Sequence, residues 1–316
     1  MVYGVAIRFP VTETAASANS RAAGLGIAAI SAAWGTVGVI VKEVDLPAVA
    51  IVQARTAIAV PTLALLLAVG RRWLPGRPLD RRALTRGAIG GVLVAAHWVC
   101  FFEAFKRAPI GTVLLITFLA PVFVAVAAPV TLGERVTRRT AVGLALGLGG
   151  SALVVGGPGG SGTTTAGLVL AFLAAVSYAA LVLLLKPLAE GHGGVRVALV
   201  EMSVATVVLV PFTALSGASR PDPSDWGLLL VLGVVETGVL LALYYSCLAR
   251  VPATEAGVLA YLEPAAGVLF GWWLLDESLT VGTVAGGAFI VAAGMMVLFA
   301  PDRPPVASPE AAGVPG

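Results

Sequence analysis

Glu236, Glu263 and His97 each stand inside a long apolar run, where a charge is costly and a partner or water is obligatory. Glu236 falls about ten residues into the run 226–249 and Glu263 about ten into 253–276, while His97 lies near the middle of 87–107. The three therefore belong at one depth. Arg55, preceded by Gln53, sits within the run 46–69. It is too long and too charged to face lipid there and is expected to pair with an acidic group. Residues four apart share a helix face, so Glu236, Leu240 and Tyr244 form a stripe of carboxylate and ring. Such a stripe suits an amphipathic organic molecule. Trp34, Tyr178, Phe101 and Tyr245 can extend that wall, although each ring taken alone reads as packing. His97 reads either as a satisfied buried histidine or as a site residue. The binding candidates are Glu236, Glu263, His97, Trp34, Tyr178, Tyr244, Arg55 and Gln53.

Other charged residues have plainer readings. Glu103, close to Lys106 and Arg107, is expected to reach an interface. Glu201 is balanced between an ion pair and a cavity role. Glu134 and Glu277 fall at helix ends and are read as structural.

The elements that must position these groups follow from composition. The 316 residues are 58% hydrophobic and 12% charged, with a mean hydropathy of +0.97. An ordinary soluble domain is about 25% charged, so the chain is read as an all-α integral membrane protein whose partner is the lipid bilayer. Ten runs approach the roughly 20 apolar residues that a spanning helix needs. They are 23–42, 46–69, 87–107, 110–132, 138–157, 165–187, 195–216, 226–249, 253–276 and 279–300, joined by breakers such as "PGRP" and "SRPDPSD". Residues 1–22 are read as a cytoplasmic tail without a secretory signal. Residues 301–316, rich in Pro, Ala and Gly, are read as a disordered cytoplasmic tail.

Arginine and lysine set the orientation. With a cytoplasmic N-terminus, fifteen cationic residues lie inside and four outside, with Arg55 within a span. Both termini are therefore expected in the cytoplasm, and the chain is expected to be a multi-pass protein of the cytoplasmic membrane. The net charge of +3 is accounted for by this topology. No basic face points to nucleic acid.

The chain also repeats itself. Residues 107–154 align without a gap on 250–297, pairing Pro109 with Pro252, Pro121 with Pro264, Glu134 with Glu277 and Thr140 with Thr283. Lys42 and Lys186 pair at an offset larger by one. Matches at Pro, Glu and Thr exceed what apolar composition produces by chance. Five spans per half is an odd number, so the second half enters from the opposite side. "ERVTRR" after Glu134 against "ESLTVG" after Glu277 agrees with that inversion. Two inverted five-helix repeats, 23–157 and 165–300, are the expected domains. Such repeats build secondary transporters with a site near the midplane. Pro121 and Pro264 are then shared architecture, each freeing a carbonyl four residues earlier. Glu263 is an asymmetric addition, because its partner position holds Ala120.

The segments "APVFVAVAAPVTLGERVT" and "EPAAGVLFGWWLLDESLT", with "AAWGTVGVIVK" in the first span, resemble the EamA-type transporters of the drug/metabolite transporter superfamily. The resemblance covers about residues 23–300. It implies ten helices with cytoplasmic ends and a central cavity lined by the first four helices of each half, the fifth and tenth packing outside. It also implies transport of amino acids, amines or other metabolites, often outward. The second copy departs from the first at Asp276, where the first has Gly133. The expectation is a secondary transporter, an exporter of small organic metabolites, working by alternating access. Glu263 or Glu236 would be the proton-coupling group. An uncoupled facilitator is the alternative. An intramembrane enzyme is disfavoured, since HExxH and GxSxG patterns are missing and His97 and His192 are the two histidines, and the missing Walker pattern argues against a self-contained ATP-driven pump. No metal or cofactor is expected.

Overall fold

In the computed structural model the described residues are 13–71, 74, 76–105, 107, 108, 110–155, 164–218, 221–275 and 280–299. They form α1 (Glu13–Trp34), α2 (Val37–Glu43), α3 (Ala48–Gly70), α4 (Arg81–Phe105), α5 (Ile110–Thr117), α6 (Ala120–Thr131) and α7 (Arg138–Val155). The second half holds α8 (Thr165–His192), α9 (Gly194–Leu215), α10 (Asp225–Leu230), a π-helical segment (Val231–Val239), α11 (Leu240–Leu248), α12 (Ala253–Ala260), α13 (Leu262–Leu275) and α14 (Val281–Leu298). Among the described residues there is no strand. Helices satisfy every backbone group within one segment, the condition that hydrocarbon imposes.

Among the described residues nine stretches are long and apolar enough to cross a membrane. The remaining sequence run, 138–157, becomes α7, whose first residues are Arg138 and Arg139 and which carries Gly143, Gly147, Gly149 and Gly150. Those residues lower its hydropathy below that of its neighbours. α7 packs along α14, and the closest approach is at two glycines. A Cβ on Gly286 would lie 2.4 Å from the Gly150 carbonyl oxygen, and one on Gly150 2.6 Å from that of Gly286. Gly150 and Gly286 therefore serve contact within the chain.

Several expected spans are interrupted. α1 begins at Glu13, so residues 13–22, read as tail, are helical, and the first span breaks at Gly35 and Thr36 before α2. The fourth span breaks at Phe118 and Leu119, and the ninth at Tyr261. Phe118 and Tyr261 are equivalent positions in the repeat. Pro121 and Pro264 lie in the first turn of the following segments, where a missing N–H costs nothing. The expected bend falls at a short interruption of the helix, where Leu119 and Tyr261 keep backbone angles near helical. The two breaks touch: the Tyr261 hydroxyl donates to the Phe118 carbonyl at 2.9 Å, and their rings stand 5.9 Å apart. Equivalent elements also pack in pairs, α3 with α9 and α7 with α14. Glu277 and the tail 301–316 lie outside the described residues.

Candidate functional site

The breaks and the π segment surround one cavity of about 140 Å³. It takes Trp34 from α1, Arg55 from α3, His97 and Trp98 from α4, Pro121 from α6 and Tyr178 from α8. The second half adds Glu236 and Thr237 from the π segment, Tyr244 and Tyr245 from α11, and Glu263 from α13. α7, α9 and α14 contribute no lining residue.

Glu236 stands on backbone wound with five-residue hydrogen bonds. The Thr237 hydroxyl repeats that spacing, donating to the Leu232 carbonyl at 2.7 Å. Such a wide turn is frequent at functional sites. Here it changes the expected stripe. Glu236, Thr237, Leu241, Tyr244 and Tyr245 face the cavity, and Leu240 does not, because the π turn rotates the positions that follow it. One carboxylate oxygen of Glu236 accepts from the Thr36 hydroxyl at 3.1 Å. The other has no hydrogen-bond partner among the described residues. Trp34 Nε1 donates to the Glu236 backbone carbonyl at 3.0 Å.

Arg55 is buried, with Nε donating to the Thr237 hydroxyl at 2.9 Å and its guanidinium carbon 4.3 Å from the centre of the Trp98 ring. The expected acidic partner is thus corrected to a hydroxyl and an aromatic face. Glu236 and Glu263 act on the cation from farther away. Glu263 is half-buried and opens onto the cavity. Its helix is brought there by Gly35, where a Cβ would lie 2.9 Å from the Glu263 carbonyl oxygen and 2.6 Å from the Gly267 nitrogen. No residue larger than glycine fits between these backbones. Gln53 lies off the cavity. Two positions from Arg55 is about 200° around a helix.

His97 combines both of its readings. Nδ1 donates to the Ala174 carbonyl at 2.9 Å, so the ring is held, and it lines the cavity between Phe101, at 6.0 Å, and Tyr178, at 5.5 Å. The Tyr178 and Tyr244 hydroxyls meet at 3.4 Å, and Tyr244 stacks obliquely on Trp34 at 5.1 Å. Sequence reasoning missed Thr36, Trp98 and Thr237. Each is adjacent to, or two residues from, a residue that it named, but their roles depend on contacts between different helices.

A second charged cluster lies away from the cavity. Glu134 accepts from the Ala253 and Thr254 amides at 2.8 and 3.2 Å, capping α12. Lys186 donates to the Leu248 and Val251 carbonyls at 3.0 and 2.9 Å and to Glu190 at 2.7 Å. Its nitrogen lies 3.8 Å from Glu134. Glu103 pairs with Arg107 one turn along the chain.

Comparison with known proteins gives this geometry its context. A model of the EamA-like transporter family matches residues 22–156 and again 165–299. The chain belongs to the EamA-like transporter family. It is a multi-pass membrane transporter. The pseudopaline exporter CntI of Pseudomonas aeruginosa is 28% identical over 260 residues, 80% of this chain and 88% of that protein. A probable terminal-alkyne amino-acid exporter of Streptantibioticus cattleyicolor is 28% identical over 243 residues, 76% of this chain and 81% of that one. An uncharacterized transporter of Archaeoglobus fulgidus is 29% identical over 217 residues, 69% of this chain and 76% of that protein. A solved crystal structure superposes with a TM-score of 0.74 at 20% identity, over 88% of this chain and 98% of that chain. That likeness concerns the fold alone.

Proposed function

We propose that this EamA-family member is a secondary transporter that exports small organic metabolites, such as amino acids or amines, across the cytoplasmic membrane by alternating access. One observation carries the reading. A single cavity holds a guanidinium (Arg55) and two carboxylates (Glu236, Glu263) with open hydrogen-bonding capacity, between the rings of Trp34, Trp98, Tyr178 and Tyr244. Arg55 suits a substrate carboxylate. Glu236 and Glu263 suit an ammonium, and the rings suit its apolar body or cation. Two relatives, a pseudopaline exporter and a probable terminal-alkyne amino-acid exporter, support the direction and the substrate class.

Ten spans in two inverted halves are part of the proposal, with α7 as the fifth span. The matched breaks at Phe118 and Tyr261 support it, as does the packing of α3 on α9 and of α7 on α14. The cationic bias supports cytoplasmic ends. In this reading Glu263 or Glu236 couples transport to protons.

The test is efflux of labelled amino acids and amines from proteoliposomes, with and without a proton gradient. Efflux of at least one probe, faster with the gradient, is expected. Equal rates would remove coupling and leave an uncoupled facilitator. No efflux of any probe would remove the proposed substrate class. Glu263→Gln is expected to leave stability within about 0.5 kcal/mol of the parent, because its carboxylate opens onto the cavity. Its efflux is expected to fall at least about tenfold, the equivalent of about 1.4 kcal/mol.

A further inference from the structure

Glu201, on α9, lies outside the cavity lining and is 0% exposed. One carboxyl oxygen accepts from the Tyr245 hydroxyl at 2.8 Å. The other has no hydrogen-bond partner among the described residues. Tyr245 itself lines the cavity, and its ring lies 5.8 Å from that of Tyr244, whose hydroxyl meets that of Tyr178. A fully enclosed carboxyl is thus joined to the cavity by one hydroxyl. A buried ionisable group in a membrane requires a partner or a function, and a single donor for two oxygens leaves Glu201 short of partners.

The charged and titratable groups around α9 do not supply the missing partner. α3, α4, α8 and α11 pack against α9. α11 presents Tyr245. α4 meets Glu201 at Gly91, whose Cβ would lie 2.6 Å from the Glu201 backbone oxygen, and its His97 is held by Ala174. Arg55 of α3 is held by Thr237. On α8, Tyr178 meets Tyr244, and Lys186 is taken by Leu248, Val251 and Glu190. Arg196, on α9 itself, donates to the His192 carbonyl.

We infer that Glu201 is a proton-exchanging site reached from the cavity through Tyr245, distinct from Glu236 and Glu263. Tyr245 passes its hydroxyl proton to the Glu201 carboxylate and takes one from hydronium in the cavity, which becomes water, so its own proton count is unchanged. Release reverses these transfers. The side chain of Leu248 follows Tyr245 by one turn of α11, and the Leu248 carbonyl is bound by Lys186. Tyr245 therefore joins Glu201 to the cavity and precedes, by one turn, the backbone that Lys186 binds. A proton stored on Glu201 is out of contact with the cavity except through one phenol.

The place of this exchange in a transport cycle rests on the transporter reading, but its test does not. The full chain in lipid vesicles is titrated from mildly acidic to alkaline buffer and followed by infrared difference spectroscopy. The expected spectrum contains a carboxyl C=O band of a water-shielded acid that is lost in Glu201→Gln and kept in Glu236→Gln and Glu263→Gln. Tyr245→Phe is the second variant, needed if Glu201→Gln does not fold. It is expected to shift the titration midpoint of that band by about one pH unit, the size of one hydrogen bond to a charged group. Superposable spectra of parent and Glu201→Gln would overturn the inference. An unmoved midpoint in Tyr245→Phe would overturn the route. Absence of substrate efflux leaves this readout intact, so the two proposals fail separately.

Discussion

The cavity and the Lys186 cluster hold similar charges in opposite conditions. At the cluster every group is satisfied: Lys186 has two carbonyls and a carboxylate, and Glu134 has two backbone amides. In the cavity Arg55 has one hydroxyl and one ring face, Glu236 has one hydroxyl for two oxygens, and Glu263 opens to the interior space. The cluster joins the loop after α6 to α8 and to the turn between α11 and α12, so its bonds hold the two halves together. The cavity charges bind little of the protein, and in the proposed reading they are left for a substrate. On that reading saturation goes with a structural role and open valence with a functional one.

That contrast can be broken by substitution. The largest effect is expected from Lys186→Met, which leaves two carbonyls and Glu134 without their cation. Removing one partner of a buried pair costs about 3–5 kcal/mol, so thermal unfolding in detergent should fall sharply. An unchanged midpoint would make the cluster incidental. Arg55→Met should do the reverse, leaving folding nearly intact while efflux of carboxylate-bearing probes falls at least about tenfold, or about 1.4 kcal/mol. A loss of folding as large as that of Lys186→Met would erase the distinction. Glu134→Gln retains one acceptor for the α12 amides but loses the charge at the helix start. A stability loss of about 1–2 kcal/mol is expected by chemical denaturation.

The smallest effect belongs to Asp80, fully at the water's edge, which caps α4 by accepting from the Ala83 amide at 2.8 Å. That bond holds its carboxyl below the usual carboxylate range. A depressed folded value means that the cap contributes above the unfolded carboxylate pKa and is lost as pH falls through the folded one. The Ala83 amide resonance should titrate with a midpoint below that of an ordinary aspartate. A midpoint at or above it would remove the cap.

Much of this was legible in the sequence. The family, the repeat and the pairing of Pro121 with Pro264 follow from residue identity, since proline acts on its own backbone wherever it stands. The depth of Glu236, Glu263 and His97 followed from counting residues along apolar runs, and all three line the cavity. Gln53 failed by the same arithmetic of helix angle. Leu240 failed because a π turn, which no local pattern announced, rotated the stripe. Arg55 was rightly judged unable to face lipid, but its partners lie on α4 and in the π segment. Sequence distance carries no information about such contacts.

The sequence alone determined that the chain enters lipid, because too few charged residues are available to solvate its surface. It also determined that the chain is built twice, because polar and proline identities recur at one offset. Only the tertiary structure decided which charges are spent on holding helices together and which remain open. That depends on distances of a few ångströms between side chains far apart in the chain, where a single backbone amide or hydroxyl decides whether a buried carboxylate is satisfied.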